Sequence, residues 1–554
     1  MYDFGTHFEV DLTKSKTPSS NVFRGKTYRI SILSDVLIRF EYSETGSFND
    51  YPTFFASNRS FGKPKITVEE DNNVLIIKND IFILPKRYSI KKCLKRRKIY
   101  MKKRAVAVLL TAVMAVTGMS ATVVCHAESE EGKVINIYSW NDEFRTRLEA
   151  IYPEVESTSS DGTVTTLKDG TEIHWIINPN QDGVYQQKLD EALLNQADAS
   201  ADDKVDIFLS ETDYVFKYTD KDADVAMPLT DLGIDPDTDL ADQYDFTRTT
   251  ASDSDGVQRG STWQCCPGTL VYRRDIAKEV FGTDDPAEVG EKVKDWDTMK
   301  ETAAQLKEKG YYTFSSYADT FRLYGNSIAQ SWVQPGETTI TVDQKIMDWV
   351  NDSKEWLDAG YLNPTVKGQW NDDWNKAMGS QSKVFAFLFP AWGIDFTLSP
   401  NWDGDAGSWA VTNPPQEYNW GGSYIHAATG TDNPEHAKDI ILAMTADKDN
   451  LLKISEDYSD FTNTKSGMAE AATDDANFSS EFLGGQNPFA YFAPVAENIK
   501  IAPLSAYDQG CVELIQNSFS DYFQGNVDFD KAKANFETAI KERYPEISEV
   551  IWPE

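Results

Sequence analysis

The sequence predicts an α/β protein of two lobes, and three observations carry that prediction. A unit of short apolar strand, polar turn and amphipathic helix recurs from residue 134 onward. The stretch that carries it, residues 128–554, is 427 residues long, enough for two separate cores. A secretory-type segment stands before that stretch and divides the chain by charge. Residues 1–104 hold 21 Lys and Arg against 11 Asp and Glu, whereas the remainder holds 33 against 77.

The dividing segment, KKCLKRRKIYMKKRAVAVLLTAVMAVTGMSATVVCHAESEEG (residues 91–132), has the layout of a signal peptide. A basic block leads into the uncharged run 105–124, then a small-residue exit at Cys125-His126-Ala127 and an acidic start at Glu128. Its own initiator would be Met101, so two unrelated pieces joined in one frame are expected, with a signal peptide over 101–127. Cleavage after Ala127 fits best because Val124 is a poor residue before a lipidated Cys125. Lipidation at Cys125 and an uncleaved anchor are the other two readings; the 20-residue run is long enough to span a bilayer. The acidic, Trp- and Tyr-rich remainder argues against nucleic acid or an anionic membrane surface as partner, since both need clustered Lys and Arg.

Residues 1–85 alternate apolar and polar side chains in runs such as Tyr28-Arg29-Ile30-Ser31-Ile32 and Val74-Leu75-Ile76-Ile77, which reads as antiparallel β. The segment YRISILSDVLIRFEYSETGSFNDYPTFFASNR resembles the N-terminal β-sandwich of the α-glucosidase/α-xylosidase family of glycoside hydrolases. The text then turns into the basic linker of 86–127, so an incomplete all-β fragment without a catalytic barrel is expected, and no hydrolase activity from it.

From 128 onward, Val134-Ile135-Asn136-Ile137-Tyr138 is a strand, and Phe144, Leu148 and Ile151 stripe the helix that follows. Ile173 to Ile177 is a second strand, followed by a helix with Tyr185, Leu189, Ala192 and Leu193 inward. Val205-Asp206-Ile207-Phe208-Leu209 is a third. Ligands of open α/β sheets sit at the carboxyl ends of strands. Trp140, Asn141 and Asp142 stand at one such end, Glu211, Asp213 and Tyr214 at another. Helix N-capping is the competing role for Asp142 and Asp213.

VDIFLSETDYV (205–215), TLVYRRDIAKEVFG (269–282), WNKAMGSQSKVFAFLFPAWGID (374–395), WGGSYIHAATGTDNPEHAKDIILAMT (420–445) and a closing helix with Phe529, Ala532, Phe536 and Ile540 follow in order behind the signal segment. Together they resemble family 1 extracellular solute-binding proteins, the carbohydrate receptors of ABC importers. The resemblance implies a periplasmic-binding-protein-like fold, two α/β lobes joined by a hinge, with a small carbohydrate in the cleft between them. It implies permease subunits of an ABC importer as partner, a secreted, surface or periplasmic location, a monomer, and neither cofactor nor metal. Lobe one would be 132–260 and 424–495, lobe two 267–418 and 496–554, with crossings near 259–267 and 419–424. Mapped onto this sequence, the site falls at Trp140, Asn141, Asp142, Glu211, Asp213, Trp263, Trp392, Asp395, Trp420 and Tyr424. Aromatic faces stack on the C–H side of a pyranose while carboxylates accept its hydroxyls; for each tryptophan the competing role is core packing.

Three cysteines remain after cleavage, Cys265, Cys266 and Cys511, with free thiols, a vicinal disulfide and a bridge to Cys511 all open. No H-E-x-x-H, G-x-S-x-G or P-loop spacing occurs. Asp235-Pro236-Asp237-Thr238-Asp239 begins like a calcium loop but continues with Leu240 and Phe246 where Gly and Glu are needed. A secreted glycoside hydrolase with a hidden carboxylate pair and a non-catalytic adhesin are the alternatives to a receptor. If residues 1–100 are a separate piece, a protein starting at Met101 is exported and binds ligand as well as the longer chain. Measuring secretion and affinity of both forms checks this, and loss of either on shortening would break the two-piece reading.

Overall fold

The computed structural model describes residues 132–553 and six short strands before them. The chain divides into two units, Met1–Cys125 and His126–Glu554. In the first, β1 (Val22–Arg24), β2 (Tyr28–Ile32) and β3 (Ile38–Tyr42) form one antiparallel sheet, and β4 (Thr67–Asp71), β5 (Val74–Lys78) and β6 (Ile83–Pro85) another. That pairing agrees with the antiparallel expectation. The basic linker and the signal segment lie outside the described residues, and no helix among the described residues is long and apolar enough to cross a membrane.

The second unit is built on two main sheets. The first has the order β12-β17-β11-β7-β10-β9-β8. Its strands are β7 (Val134–Ser139), β8 (Val155–Thr158), β9 (Val164–Leu167), β10 (Glu172–Ile177), β11 (Ile207–Glu211), β12 (Ser261–Thr262) and β17 (Ser423–Ala427). β7 is parallel to both β10 and β11, and the remaining pairs are antiparallel. The helix Glu143–Ile151 buries Phe144, Leu148 and Ile151, the stripe its sequence predicts. Likewise Val184–Asn195 buries Tyr185, Leu189 and Leu193. The second sheet is β15-β13-β16, from β13 (Thr269–Arg273), β15 (Ala386–Phe389) and β16 (Trp409–Thr412), antiparallel and buried at every position. A parallel pair, β14 (Thr339–Thr341) with β18 (Glu549–Ile551), closes the chain's end.

Each main sheet has its own core. Ile135, Ile137, Ile173, Leu209 and Ile425 pack with Ile440, Met444 and Ile454 around the first. The larger core gathers Val271, Phe387, Trp349, Phe523 and Phe536. Phe461, Met468, Phe489, Phe492 and Ala496 belong to that larger core as well. The segment after the helix Lys448–Tyr458 thus packs into the larger core, which also takes in Tyr244 and Phe246. The Phe461 ring lies 5.9 Å from Phe489, 5.8 Å from Phe492 and 6.0 Å from Tyr244.

Three segments cross between the lobes, and they are hydrogen-bonded side by side. In the middle runs 263–268. On one side Gly268 N donates to Tyr418 O (2.9 Å) and Trp420 N to Cys266 O (3.0 Å). On the other, Cys265 N donates to Phe461 O (2.9 Å) and Asn463 N to Trp263 O (2.8 Å). Gly421 and Gly422 follow the second crossing with φ of +89° and +120°, where a side chain would be strained. Gly268 is needed for a different reason, since a Cβ there would lie 1.8 Å from the Tyr418 ring. That ring cannot swing away, because its hydroxyl donates to Thr269 O (3.1 Å). Gly268→Ala should destabilise the protein by roughly 1–3 kcal/mol through overpacking. Gly368→Ala, whose Cβ would meet nothing within 4 Å, should be close to neutral. Chemical denaturation of both variants checks the pair, and equal midpoints would contradict the account.

Candidate functional site

β7 and β11 are neighbours that run the same way, so their carboxyl ends open onto one edge. β7 delivers Trp140-Asn141-Asp142 and β11 ends at Glu211. β17 enters antiparallel, bringing Ser423 opposite Glu211. Thr212 fixes the join, its hydroxyl donating to Gly421 O (2.7 Å) and its amide to Gly422 O (3.2 Å). Trp140 stands half-buried and edge-on to Tyr185, 5.3 Å between centroids. Asn141 accepts the Glu143 amide proton at the helix start (3.2 Å), while Asp142, which makes no cap, is exposed and pairs with Arg145 (3.2 Å).

The facing lobe offers a group of tryptophans. β15 runs into Pro390 and then Trp392, whose indole donates to Trp420 O (3.0 Å) and lies edge-on to the Trp420 ring at 5.2 Å. Trp420 in turn stacks on Phe389 (6.1 Å, 22° between planes). Over Trp392, nearly parallel at 15° and 6.1 Å, lies Trp370, which is 59% exposed. Trp370 has φ +62°. A bulky side chain in that left-handed region costs about 1–2 kcal/mol and persists only where its surroundings dictate it. They do so here through Asp319, a buried carboxylate that accepts from Gln369 and the Trp374 indole (3.1 Å each), from the Ser315 and Ser316 amides and from the Ser315 hydroxyl. Both flanks of Trp370 are thus tied to one anchor.

Charge is arranged around these rings. Asp213 on the first lobe makes a bidentate pair with Arg322 on the second (2.5 and 2.6 Å), and the guanidinium also lies over Trp420. Glu211 accepts the Asp213 amide (2.8 Å), and its carboxyl is pushed well up by burial and then by the Asp213 charge, which Arg322 only partly offsets. A second group forms beside the hinge. Gln264 donates to Glu143 (2.8 Å) and accepts from Ser423 N (3.2 Å), while Arg147 pairs with Asp460 (3.1 Å). Burial and the Asp460 charge raise the Glu143 carboxyl in the same way.

Of the residues expected at the site, Glu211, Asp213, Trp392 and Trp420 come together. Trp263 and Tyr424 do not reach it. Trp263 is fully enclosed and stacked on Phe144 (5.4 Å), and Tyr424 packs with Val215 and Ala251. Both are core because the first sheet closes over them. Asp395 is exposed at the edge of a separate polar cavity of about 240 Å³. Asp213, expected to accept ligand hydroxyls, is committed to Arg322. Sequence reading misses Trp370, Arg322, Glu143, Gln264 and Asp460. Only the Trp370-x-x-x-Trp374 spacing ahead of the FAFLFPAW run gave a local signal, since the others are joined by the fold. Cys265, Cys266 and Cys511 are buried free thiols. Among the described residues no cluster of His, Cys, Asp or Glu is placed to hold a metal ion.

The raised Glu211 carboxyl makes stability depend on pH with a definite sign. The folded form keeps a proton that the unfolded chain releases in the ordinary carboxylate range. Stability therefore falls as pH rises from the ordinary carboxylate range up to the raised value and levels off above it. Glu211→Gln removes this slope, so its melting temperature should gain on the parent's as pH goes from about 5 to about 8. Parallel melting curves across that range would mean Glu211 ionises normally.

The sequence profile of bacterial extracellular solute-binding proteins matches residues 178–479. No curated protein matches the sequence. Among solved structures, an extracellular solute-binding protein of family 1 is similar over 75% of this chain and all of its own, with 19% identity and a TM-score of 0.59. The ABC transporter associated binding protein of B. animalis subsp. lactis Bl-04, in complex with β-1,6-galactobiose, covers 76% of this chain and 99% of its own at 19% identity and TM-score 0.54. The GacH receptor of Streptomyces glaucescens, solved unliganded and with acarbose, covers 75% and 99% at 14% identity and TM-score 0.51. The comparisons lend no support to the glycosidase-like resemblance of residues 1–85. With two lobes, a paired hinge and a matching profile over more than half its length, the chain belongs to the bacterial extracellular solute-binding proteins.

Proposed function

We propose that the protein is an extracellular receptor for a neutral sugar or oligosaccharide, which it hands to the permease subunits of an ABC importer. The observation that carries this reading is the Trp370–Trp392 stack, an exposed aromatic face set on a strained backbone. Flat apolar rings of this kind suit the C–H face of a pyranose. Glu211, whose carboxyl burial pushes toward the protonated form, and the Arg322–Asp213 pair offer donors and acceptors for hydroxyls. The surplus of carboxylates disfavours an acidic sugar. The sugar complexes of the B. animalis and S. glaucescens proteins, which share the fold, point the same way. We read residues 101–127 as a signal peptide cleaved after Ala127, and Trp140, Glu211, Trp370, Trp392 and Trp420 as the ligand-facing set.

A hydrolase is the less favoured reading, because membership of a solute-binding family and the engagement of Asp213 by Arg322 leave Glu211 without a free carboxylate neighbour. Incubation with oligosaccharides separates the two, binding without products supporting the receptor. A thermal-shift panel of mono- and oligosaccharides finds the ligand by its stabilisation of the folded state. With that ligand, Trp370→Gly should lower affinity by about 5- to 150-fold. Its melting temperature should hold steady or rise, since glycine relieves the left-handed strain. Unchanged affinity in calorimetry would remove Trp370 from the site.

A further inference from the structure

Where the Asp213–Arg322 bridge joins the lobes, a further carboxylate faces it that the site described above does not use. Asp508 opens the helix Asp508–Phe523, whose Cys511, Ile515, Phe519 and Phe523 belong to the larger core. That helix packs against the turn Thr212–Tyr214 at the end of β11, so its first residues meet the opposite lobe. Two more contacts cover the same corner. Gln186 donates to Gln509 (2.8 Å), and Leu504 packs on Val215, Ala251 and Tyr424. The Asp508 carboxylate folds back on its own chain, accepting from the Ser505 amide (2.9 Å) and hydroxyl (2.6 Å).

The cations near this corner are already engaged. Arg322 gives both terminal nitrogens to Asp213, and Arg543, on the closing helix, pairs with Glu513. Glu546 accepts the Tyr507 hydroxyl (3.2 Å), and on its own helix the titratable neighbour of Asp508 is Cys511. From the first lobe, the charge that faces Asp508 is Asp213. Burial and, less strongly, that like charge push its carboxyl up to about 7, against the pull of the two Ser505 bonds. Those bonds and the positive end of the helix belong to the same side as Asp508, and they act equally whether the lobes are together or apart. The cover and the Asp213 charge come from the first lobe and leave with it.

We propose that Asp508 is a proton-operated latch between the lobes. With a proton on its carboxyl the Asp213–Arg322 bridge closes undisturbed, and without it two like charges meet across the gap and drive the lobes apart. The sign follows from the difference between the two forms. With the lobes together Asp508 keeps a proton that it releases in the ordinary carboxylate range once water reaches it. The closed form is therefore favoured at low pH. Its ratio to the open form falls as pH rises from the ordinary carboxylate range to about 7 and levels off above, by at most about tenfold per pH unit for one proton. The device acts on the lobes themselves and does not depend on which ligand the cleft takes.

The test is single-molecule energy transfer on the full chain without added ligand, between fluorophores at exposed Lys168 on the first lobe and exposed Glu308 on the second, from pH 5 to pH 8. In the parent the ratio of short-distance to long-distance molecules should fall by about 10- to 100-fold across that range. Asp508→Asn, neutral at every pH and still able to bond Ser505, should remain about as closed at pH 8 as the parent is at pH 5. Asp508→Ala, neutral but unable to make those bonds, should lose the slope as well, so either folded variant decides the matter. A pH profile in the variants parallel to the parent's would overturn the latch. So would a parent whose distance does not change, or one that opens on acidification. Each of these results would leave the sugar-receptor reading untouched, because no sugar enters the measurement.

Discussion

The three crossing segments are the constraint on which the rest of the second unit depends. A connection between two cores runs through a region with little apolar packing of its own, so its backbone groups need partners. Here 263–268 supplies them to both neighbours, through Tyr418 and Trp420 on one side and Phe461 and Asn463 on the other. The three strands consequently bend together, which favours a rigid-body rotation of one lobe against the other. The same strip carries the site's floor. Gln264 reaches Glu143 and Ser423, Trp420 stands under Trp392, and Cys265 and Cys266 lie buried beneath. A change of hinge angle is therefore a change at the site.

The lobes divide the chemistry between them. Lobe one brings carboxylates at the ends of its strands, Glu211 and Asp213, and lobe two brings tryptophans and Arg322. Contact between the lobes is consequently a contact between opposite charges. Separating them would leave Asp213 beside Glu211 with no cation near either, so Arg322 both draws the lobes together and limits the rise of the Glu211 carboxyl. Gln186 and Gln509 add a neutral hydrogen bond across the same gap (2.8 Å).

How far the sequence could be read followed from the range of the forces. Val134–Ser139, its helix with Phe144, Leu148 and Ile151, and the all-buried β15 announced themselves by periodicity, a local property. Trp392 and Trp420 were legible because each stands at the end of such an element. Trp263 looked equivalent and is core, since whether a ring faces the cleft or the sheet depends on pairing with β17 and the approach of Phe144, residues far away in sequence. Arg322 and Asp213 are 109 positions apart, and no pattern in either neighbourhood announces the other. The apolar stripe of 461–496 tells that the segment is buried but not against which lobe.

Local rules of chain conformation hold over most of the second unit and fail in one neighbourhood. Trp370 adopts a glycine-like φ, the turn after Trp392 is a π-helix, and Gly421 and Gly422 take successive positive φ values with Trp392 Nε1 only 3.1 Å from where a Gly421 Cβ would lie. Each departure alone has a structural excuse. Together they converge on the faces of Trp370 and Trp392, and Asp319, a buried carboxylate with five donors, holds both flanks of Trp370 in place. Backbone conformations of this kind persist only where the surroundings dictate them, and they cluster at binding surfaces. The aromatic face, more than the carboxylates, is therefore where this molecule departs from local conformational rules.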